Sequence, residues 1–506
     1  MNSQNSIQAL IDKGETATLE CKKARREIPA NLWESYSAFA NTDGGTILLG
    51  VQEEEGRLVR CGVDNPDKIV RDIWNQVNNP EKVSANILFD RNVRIVTEEG
   101  MAFVLVDVPR AERTDRPVFV GRDVFRGAFR RNGEGDYRCN RETVKAMLRD
   151  QGNETADFTL MENLVVADLN GDAIRRYRTR FASMKPEHVW KNLPDEEFLV
   201  KIGGARRGDH GTIRPTLAGL VCFGDYVTIV SELPNFFLDY RERLDLDTRW
   251  SDRVCSQDGT WSGNVFDFFF KVHDRLVADV KRPFRLSPDG VRRENTPIHD
   301  GLREALLNAL IHADYHGRQG IVIEKEFRRI VFENPGGLRM GKQVAIAGGR
   351  SDVRNALLFN IFSLVGLGER SGSGLCDLFG AWKNAGYSTP VLSEAFDPDR
   401  VTLEVEIHVP GSEYIGEVTA RDNRLPYDPD ARIAGILESM PLAEENIQEE
   451  TILAFARKRG GVRRAEVMAL LPVKPYQAYY LLKKLAREGR LRKENSTRNA
   501  RYVPSP

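Results

Sequence analysis

Apolar and polar positions along the chain follow two periods, one typical of helices and one typical of buried strands. Residues 31–41 place Leu32, Tyr36 and Phe39 at helical spacing, and the glycines at 44 and 45 end the predicted helix. The same period predicts further helices over residues 143–150, 172–184 and 299–313. Short runs that are almost wholly apolar predict strands over residues 46–51, 101–108, 216–224, 235–240, 320–324, 329–333 and 401–409.

This alternation of helices and strands predicts an α+β multidomain protein. Changes in pattern predict an α/β domain over residues 1–150, a connecting α/β domain over 151–290, a third α/β domain over 291–410, a polar linker over 411–446 and a C-terminal module over 447–506. No apolar run reaches about 18 residues, and the N-terminus lacks the basic and apolar regions of a secretory signal. We therefore expect a cytoplasmic protein without a membrane span.

The C-terminal module has the element order of a winged helix. Its pattern predicts helices over residues 448–459, 464–470 and 476–488, a proline turn at 472–475, and hairpin strands over 491–495 and 500–503. In such a module the third helix lies in the major groove of DNA and the hairpin contacts the backbone.

Charge is distributed unevenly, although the net charge of the whole chain is only −1. From Thr451 onward, 14 Lys and Arg residues stand against 3 Glu residues, an excess that favours contacts with phosphate groups. We expect nucleic-acid contacts at Gln477, Tyr480, Lys483, Lys484, Arg490, Arg492, Lys493, Arg498 and Arg501. The alternative is a solvated basic tail or a winged helix that docks on a protein.

The first domain carries the most specific motif. It resembles the Schlafen-type AlbA_2 domain in three runs: GETATLECK at 14–22, SAFANTDGG at 37–45 and TILLGV at 46–51. Members of that family are described as nucleic-acid-binding. Some members of its Schlafen branch are metal-dependent RNA nucleases that use three carboxylates.

The resemblance implies a candidate catalytic site. By position, Glu15 and Glu20 match the first two carboxylates, and the third would follow Val51, where this chain reads Gln52-Glu53-Glu54-Glu55. Glu53 is the best candidate and Gln52 is the alternative at the aligned place. The implied catalytic residues are therefore Glu15, Glu20, Lys22 and Glu53, with the three glutamates as ligands of Mg²⁺ or Mn²⁺.

Elementary geometry supports part of this assignment independently. Glu20 and Lys22 share one face of a strand, because successive side chains of a strand alternate. A carboxylate beside an ammonium group suits a divalent ion and a phosphate that gains charge. The alternative is an ordinary surface ion pair.

The third domain resembles a divergent domain that accompanies AlbA_2 in bacterial transcriptional regulators and is similar to the GHKL ATPase fold. The matching runs are LREALLNALIHADY at 302–315, ENPGGL at 333–338, Arg354-Asn355 and GERSGSGL at 368–375. The resemblance implies an α/β sandwich that binds ATP with Mg²⁺. The alternative is a fold that keeps only the ancestral shape.

The roles in that ATP site follow from the resemblance, position by position. Asn308 would hold Mg²⁺, Glu304 would activate water and Glu333 would contact adenine. Glu304 and Asn308 are four residues apart, so both lie on one helix face. Glycines let backbone N–H groups approach phosphate, and the candidates are Gly336, Gly337, Gly372 and Gly374.

Three hypotheses result from these motifs. The first is a DNA-binding, ATP-responsive transcriptional regulator. The second is a Schlafen-like metal-dependent nuclease, acting on RNA or DNA in phage defence and regulated by nucleotide. In the third, both ancestral sites are inactive and the domains only assemble. We expect nucleic acid, with DNA favoured over RNA, and ATP as partners, and a homodimer or higher homo-oligomer, because winged helices often recognise paired half-sites.

Overall fold

The structure of the chain is a computed structural model. It describes residues 6–244, 249–280, 296–368, 372–396, 398–407 and 442–504, except positions 464, 465, 468, 469, 472–480, 483, 487, 488 and 495–500. For residues 210, 442–450 and 493 it describes the backbone alone. The chain forms two compact units, one within residues 6–407 and one mainly from residues 442–504. The architecture is mixed α+β with several sheets, as the pattern predicts.

The N-terminal part of the larger unit is built around a four-stranded sheet. Its elements are α1 (Ile7–Asp12), β1 (Leu19–Lys22), α2 (Leu32–Ala40), β2 (Gly45–Leu49), β3 (Val51–Glu54), β4 (Arg57–Arg60), α3 (Pro66–Val77), β5 (Val93–Glu98), β6 (Met101–Val108), α4 (Val124–Gly127), β7 (Phe129–Asn132), β8 (Gly135–Arg138) and α5 (Arg141–Gln151). The strand order is β1-β2-β6-β5, with β1 parallel to β2 and the other pairs antiparallel. β3 with β4 and β7 with β8 form separate hairpins.

Both faces of the two central strands, β2 and β6, are buried, which explains why these strands are apolar without alternation. Ile47 and Leu49 of β2 pack in one core with α2 and α3. Leu48, which points to the opposite face, packs in a second core with α1. β2 and β6 therefore behave as central strands covered on both sides.

The middle of the chain is mostly helical. Its elements are α6 (Gly171–Met184), α7 (Asp195–Ile202), β9 (Ala205–Arg207), β10 (Ile213–Pro215), α8 (Leu217–Phe223), α9 (Tyr226–Glu232), β11 (Leu238–Arg243), β12 (Asp252–Cys255) and α10 (Val265–Val277). The strand predicted over residues 216–224 is wrong, because these residues form α8. The Thr216 hydroxyl caps this helix by accepting a hydrogen bond from Gly219 N at 3.1 Å. Every residue of α8 is buried, so no polar face distinguishes helix from strand.

The last part of the larger unit completes a six-stranded sheet. Its elements are α11 (Pro297–Ile311), β13 (Ile321–Glu326), β14 (Arg329–Pro335), α12 (Lys342–Ala347), α13 (Ala356–Leu364), α14 (Gly374–Asn384), β15 (Val391–Ala395) and β16 (Arg400–Glu406). The strand order is β12-β11-β13-β14-β16-β15, so β11 and β12 of the middle segment belong to the same sheet. The strand predicted over residues 235–240 is shifted toward the C-terminus in β11.

The C-terminal unit has its own small core. It contains α15 (Leu442–Arg459), β17 (Val462–Arg463), β18 (Leu491–Lys493) and β19 (Arg501–Pro504), and the strands form an antiparallel sheet in the order β17-β19-β18. Ile452, Leu481, Leu485 and Tyr502 are among its buried residues. The helix begins at Leu442, inside the predicted linker, while residues 408–441 lie outside the described residues. The predicted turn at 472–475 and parts of the predicted helices over 464–470 and 476–488 also lie outside the described residues.

Gly219 tests the packing of α8. A Cβ on Gly219 would overlap the carbonyl oxygen of Gly204, whereas a Cβ on Gly380, within α14, would meet nothing within 4 Å. Gly219→Ala should lower the stability by about 1–3 kcal/mol through overpacking. Gly380→Ala should raise it by about 0.5–1 kcal/mol, because alanine is the better helix former. Urea unfolding midpoints of the two variants and the wild type measure both effects. Equal midpoints for the two variants would contradict the close approach.

Candidate functional site

Glu20 and Lys22 project from the same face of β1, beside an arginine from a distant strand. Lys22 Nζ lies 2.8 Å from one carboxylate oxygen of Glu20, and Arg131 Nη1 lies 2.7 Å from the other. Arg131 is buried on β7 and also contacts Asp136 at 2.9 Å. Both oxygens of Glu20 therefore already face a cation.

The SAFANTDGG run positions this arginine. The Asn41 side-chain amide donates to the carbonyl oxygens of Val118 at 2.7 Å and Phe129 at 3.0 Å, and its oxygen accepts from Val118 N at 2.8 Å. Thr42 Oγ1 accepts a hydrogen bond from Arg131 N at 3.0 Å. These bonds are buried, so each satisfies backbone groups that no water reaches. The motif thus fastens β7 to α2 and sets Arg131 beside β1.

Glu15 lies in the turn before β1, close to Glu20. One of its carboxylate oxygens accepts a hydrogen bond from Cys21 N at 2.9 Å. Burial raises the pKa of Glu15, the Cys21 hydrogen bond opposes this, and repulsion from Glu20 raises the pKa further. Burial also raises the pKa of the Cys21 thiol to about 12, with both glutamates contributing. The thiol is therefore a poor nucleophile at neutral pH.

The remaining candidate, Glu53, is exposed on β3, and Gln52 is half-buried and bonded to Glu54. Among the residues that the structure describes, no group of three or more His, Cys, Asp or Glu side chains is arranged to hold a metal ion. The groups around Glu20 therefore do not fit Mg²⁺ or Mn²⁺, since two cations already neutralise it. The assignment of Glu15, Glu20, Lys22 and Glu53 as a catalytic set stays a prediction.

A second candidate site is a cavity of ≈ 120 Å³ in the last part of the larger unit, which we call the cleft. One wall is α11, from which the half-buried Glu304 and Asn308 face the cleft, four residues apart. The Asn308 amide lies 3.3 Å from a Glu304 carboxylate oxygen, to which it donates.

The opposite wall of the cleft is formed by one face of β14 and β16. Phe332 and Asn334 of β14 line the cleft together with their cross-strand partners Leu403 and Val401. Glu333 lies between them and points to the other face, where it pairs with Arg400 at 2.9 Å. The structure therefore does not bring Glu333 into the cleft. Asn334, which the sequence interpretation missed, occupies that wall instead.

Glycine-rich loops form the rim of the cleft. Gly337, Gly372 and Gly374 line it, as expected. A Cβ on Gly372, whose φ is +67°, would lie 2.9 Å from backbone atoms of Arg350, and a Cβ on Gly374 would overlap the Glu304 carboxylate. Only glycine therefore allows these segments to approach each other. Between Gly372 and Gly368, residues 369–371 lie outside the described chain.

Two further cleft residues carry charge or could carry it. Arg350 is exposed at the rim, and no described residue accepts a hydrogen bond from its guanidinium group. His312 lies at the end of α11, where burial lowers its pKa to about 4 and the nearby Arg354 adds to this. His312 is consequently neutral at physiological pH. Sequence spacing gave no signal for Arg350, because it lies in a loop without a motif.

The third candidate site is the basic face of the C-terminal sheet. Arg463 of β17 lies directly opposite Arg501 of β19, and residues opposite each other in an antiparallel pair share a face. Arg492 pairs with Val503, the residue two positions after Arg501, so its side chain joins the same face. Arg463 and Arg492 are exposed. Arg463 is the member that the sequence interpretation missed as a contact.

The other predicted contacts are described only in part. Lys484 lies on a helical segment and Arg490 precedes β18, both half-buried. Lys493 lies opposite Tyr502 in β18, and its side chain is outside the described atoms. The predicted contacts outside the described residues are Gln477, Tyr480, Lys483 and Arg498.

Comparison with known families places a domain identity on each of these sites. The family model described as "Schlafen, AlbA_2" matches residues 15–140, and the model described as "Putative ATP-dependent DNA helicase recG C-terminal" matches residues 320–403. The model "FaeA-like protein" matches residues 448–502, and a domain of unknown function, DUF8451, matches residues 145–239. Residues 15–140 thus carry a Schlafen AlbA_2 domain. In this chain that domain is joined to a RecG-related C-terminal region and a FaeA-like winged-helix region.

Two solved structures are similar to the chain. The DIP2311 protein from Corynebacterium diphtheriae is 16% identical, with 99% of this chain and 96% of that chain covered and a TM-score of 0.37. The second is the N-terminal domain of the "Putative ATP-dependent DNA Helicase RecG-related Protein" from Nitrosomonas europaea, which is 29% identical. The match covers 26% of this chain and 90% of that chain, with a TM-score of 0.21. At these TM-scores neither likeness bears on the fold or the function.

The charges around Glu15 predict an unusual effect of neutralising it. Because the folded state raises the pKa of Glu15 above its ordinary value of 4.5, the stability linked to this group is complete below pH 4.5 and is lost as the pH rises through the folded pKa. At pH 7, Glu15→Gln should therefore raise the unfolding midpoint while its side-chain oxygen still accepts from Cys21 N. The gain should shrink as the pH is lowered to about 4, which thermal unfolding across this pH range measures.

Glu20→Gln is the matched control for this experiment. This substitution removes the negative charge that pairs with Lys22 and Arg131, so it should lower the thermal unfolding midpoint at pH 7. A lower midpoint for Glu15→Gln at pH 7 would mean that its carboxylate is stabilised rather than penalised.

Proposed function

We propose that this protein is a nucleic-acid-binding, ATP-binding transcriptional regulator whose winged helix binds DNA. The observation that carries the proposal is the cleft, in which α11, one face of β14 and β16, and two glycine-containing loops converge. The domain order of the chain adds support, because AlbA_2, RecG-related and FaeA-like regions occur together. Binding of ATP is proposed, and hydrolysis is not required for it.

The polar end of the cleft suits a magnesium-bound phosphate. Mg²⁺ is usually held by one or two protein oxygens together with phosphate oxygens and water. Glu304 and Asn308 offer such a pair of hard oxygen donors from one helix face. When bound, the ion would neutralise part of the phosphate charge.

The other lining residues suit the remaining parts of a nucleotide. Phe332, Leu392 and Leu403 provide an apolar wall for a base, with Asn334 as a hydrogen-bonding side chain among them. Gly337, Gly372 and Gly374 line the rim, where their backbone N–H groups would bind phosphate. Arg350 would add a positive charge there. Asn334 replaces Glu333 in this proposal as the side chain that faces the base.

Cleavage of nucleic acid is not part of the proposal. Glu15 and Glu20 lie close together, but Lys22 and Arg131 already neutralise Glu20, and Glu53 is exposed on a separate hairpin. A divalent ion would have to displace a buried arginine to reach these carboxylates. The AlbA_2 domain is therefore proposed to bind nucleic acid without cutting it.

The cleft proposal predicts opposite outcomes for two adjacent residues. Asn334→Ala and Asn308→Ala should each weaken Mg-ATP binding about tenfold, the effect of losing one hydrogen bond to a charged or buried group. Glu333→Ala should leave the affinity unchanged, because Glu333 points to the opposite face of the sheet. Isothermal titration calorimetry of each variant with Mg-ATP measures this. A wild type that binds no Mg-ATP, or a larger effect at Glu333 than at Asn334, would overturn the proposed site.

The winged helix predicts a defined change in salt dependence. Each phosphate contact contributes about 0.9 to the slope of log affinity against log salt concentration. The double variant Arg463→Ala/Arg492→Ala should therefore reduce that slope for duplex DNA by about two. The control Arg175→Ala/Arg207→Ala removes two exposed arginines from the larger unit and should leave the slope unchanged. Fluorescence anisotropy titrations at several salt concentrations measure the slopes, and equal slopes for both double variants would remove the sheet from the interface.

A further inference from the structure

Arginines of the N-terminal domain donate hydrogen bonds to the backbone of residues that line the cleft. Residues 337–339 form part of the cleft wall, and we call them the cleft loop. Arg110 Nη2 donates to the carbonyl oxygen of Leu338 at 2.8 Å. Arg116 Nη2 donates to the carbonyl oxygens of Leu338 at 3.2 Å and Arg339 at 3.3 Å. The N–H of Leu338 donates to Glu394, which in turn pairs with Arg110.

A second lining segment is fastened in the same way. Asp352, which lines the cleft, pairs with Arg113 of the N-terminal domain at 2.7 Å. Asp150, at the end of α5, pairs with Arg354 at 2.7 Å, and Arg354 also donates to the carbonyl oxygen of Gly337 at 2.8 Å. Two separate walls of the cleft therefore depend on residues far away in the sequence.

Arg116 stands out among these arginines. It is 6% exposed and, among the described residues, forms no ion pair with a carboxylate, and its Nε finds no acceptor. Burial lowers its pKa to about 10, with repulsion from Arg110 as the next cause. Attraction to the nearby carboxylates of Glu394 and Asp150 opposes this lowering of the pKa, although neither forms an ion pair with Arg116. The described side-chain hydrogen bonds of Arg116 go to the cleft loop, so we expect Arg116 to affect the conformation of that loop.

We infer that Arg116 is a positioning residue for the nucleotide site: it holds the cleft loop in its lining conformation, and so couples ATP binding to the N-terminal domain. This inference rests on the proposed function. The loop follows Gly336, whose φ is +94°, and contains Gly337, so it has much conformational freedom to lose. Fixing it in advance removes an ordering cost from ligand binding. Because coupling is reciprocal, bound ATP must stabilise the same contacts of the N-terminal domain.

Arg116→Met is the variant best suited to test the coupling. It removes the loop bonds and orphans no carboxylate, whereas replacing Arg110 would leave Glu394 unpaired. In the full chain, Arg116→Met should weaken Mg-ATP binding about five- to tenfold, and Arg116→Lys, which keeps one donor group, should restore part of the affinity. Arg318→Gln removes an exposed partner of Glu142 that does not contact the cleft loop, and it should bind Mg-ATP like the wild type.

Hydrogen exchange of the wild type, measured by mass spectrometry, gives a readout that needs no variant. In the wild type, Mg-ATP should slow exchange in the segment 110–118, which lies outside the cleft, and Arg116→Met should abolish this slowing. If the wild type binds Mg-ATP without any change in that segment, or if Arg116→Met binds with wild-type affinity, the coupling is refuted while the ATP site stands. If the wild type binds no Mg-ATP, the proposed function fails instead.

Discussion

A guanidinium group that leaves water must find acceptors for its protons, and the larger unit buries several arginines close to one another. Arg110, Arg116 and Arg130 of the N-terminal domain and Arg339 and Arg354 of the RecG-related region all face one boundary. Removing one member of such a group costs more than the pair contributes, because the remaining charge stays buried. The two regions are therefore tied by a network that tolerates few separate changes. The segments at 337–339 and at Asp352, which line the cleft, are bonded to this network.

Buried arginines contact different kinds of acceptor at the two candidate sites of the larger unit. At β1, Arg131 and Lys22 each form an ion pair with the Glu20 carboxylate. These ion pairs leave Glu20 little capacity to bind a metal ion. At the cleft, the arginines arrive behind the backbone and bond to carbonyl oxygens of the loop. The buried arginines therefore contact a carboxylate at β1 and backbone carbonyl oxygens at the cleft.

Sequence patterns predicted most of the fold because long amphipathic helices and wholly apolar strands carry strong local signals. β6 spans the residues predicted for it, and α2, α6 and α11 begin and end within about two residues of prediction. The run at 216–224 failed because a fully buried helix has no polar face to reveal its period. Glu333 was assigned to the base although its neighbour faces the cleft, since a motif gives an order of residues but not the face of a strand. Arg131 could not be paired with Glu20 from the sequence, because 110 intervening residues separate them.

The six cysteines acquire a practical meaning from where the fold places them. Cys139, Cys222 and Cys255 are buried, Cys21 and Cys61 are half-buried, and Cys376 is exposed on the first turn of α14. Burial raises the pKa of the Cys21, Cys61 and Cys222 thiols, which slows their reaction with electrophiles. Cys376 lies two residues beyond Gly374, a residue that lines the cleft. The natural chain therefore offers a preferred attachment point for a thiol-reactive dye, close enough in sequence to the cleft to report on a nucleotide bound at the proposed site.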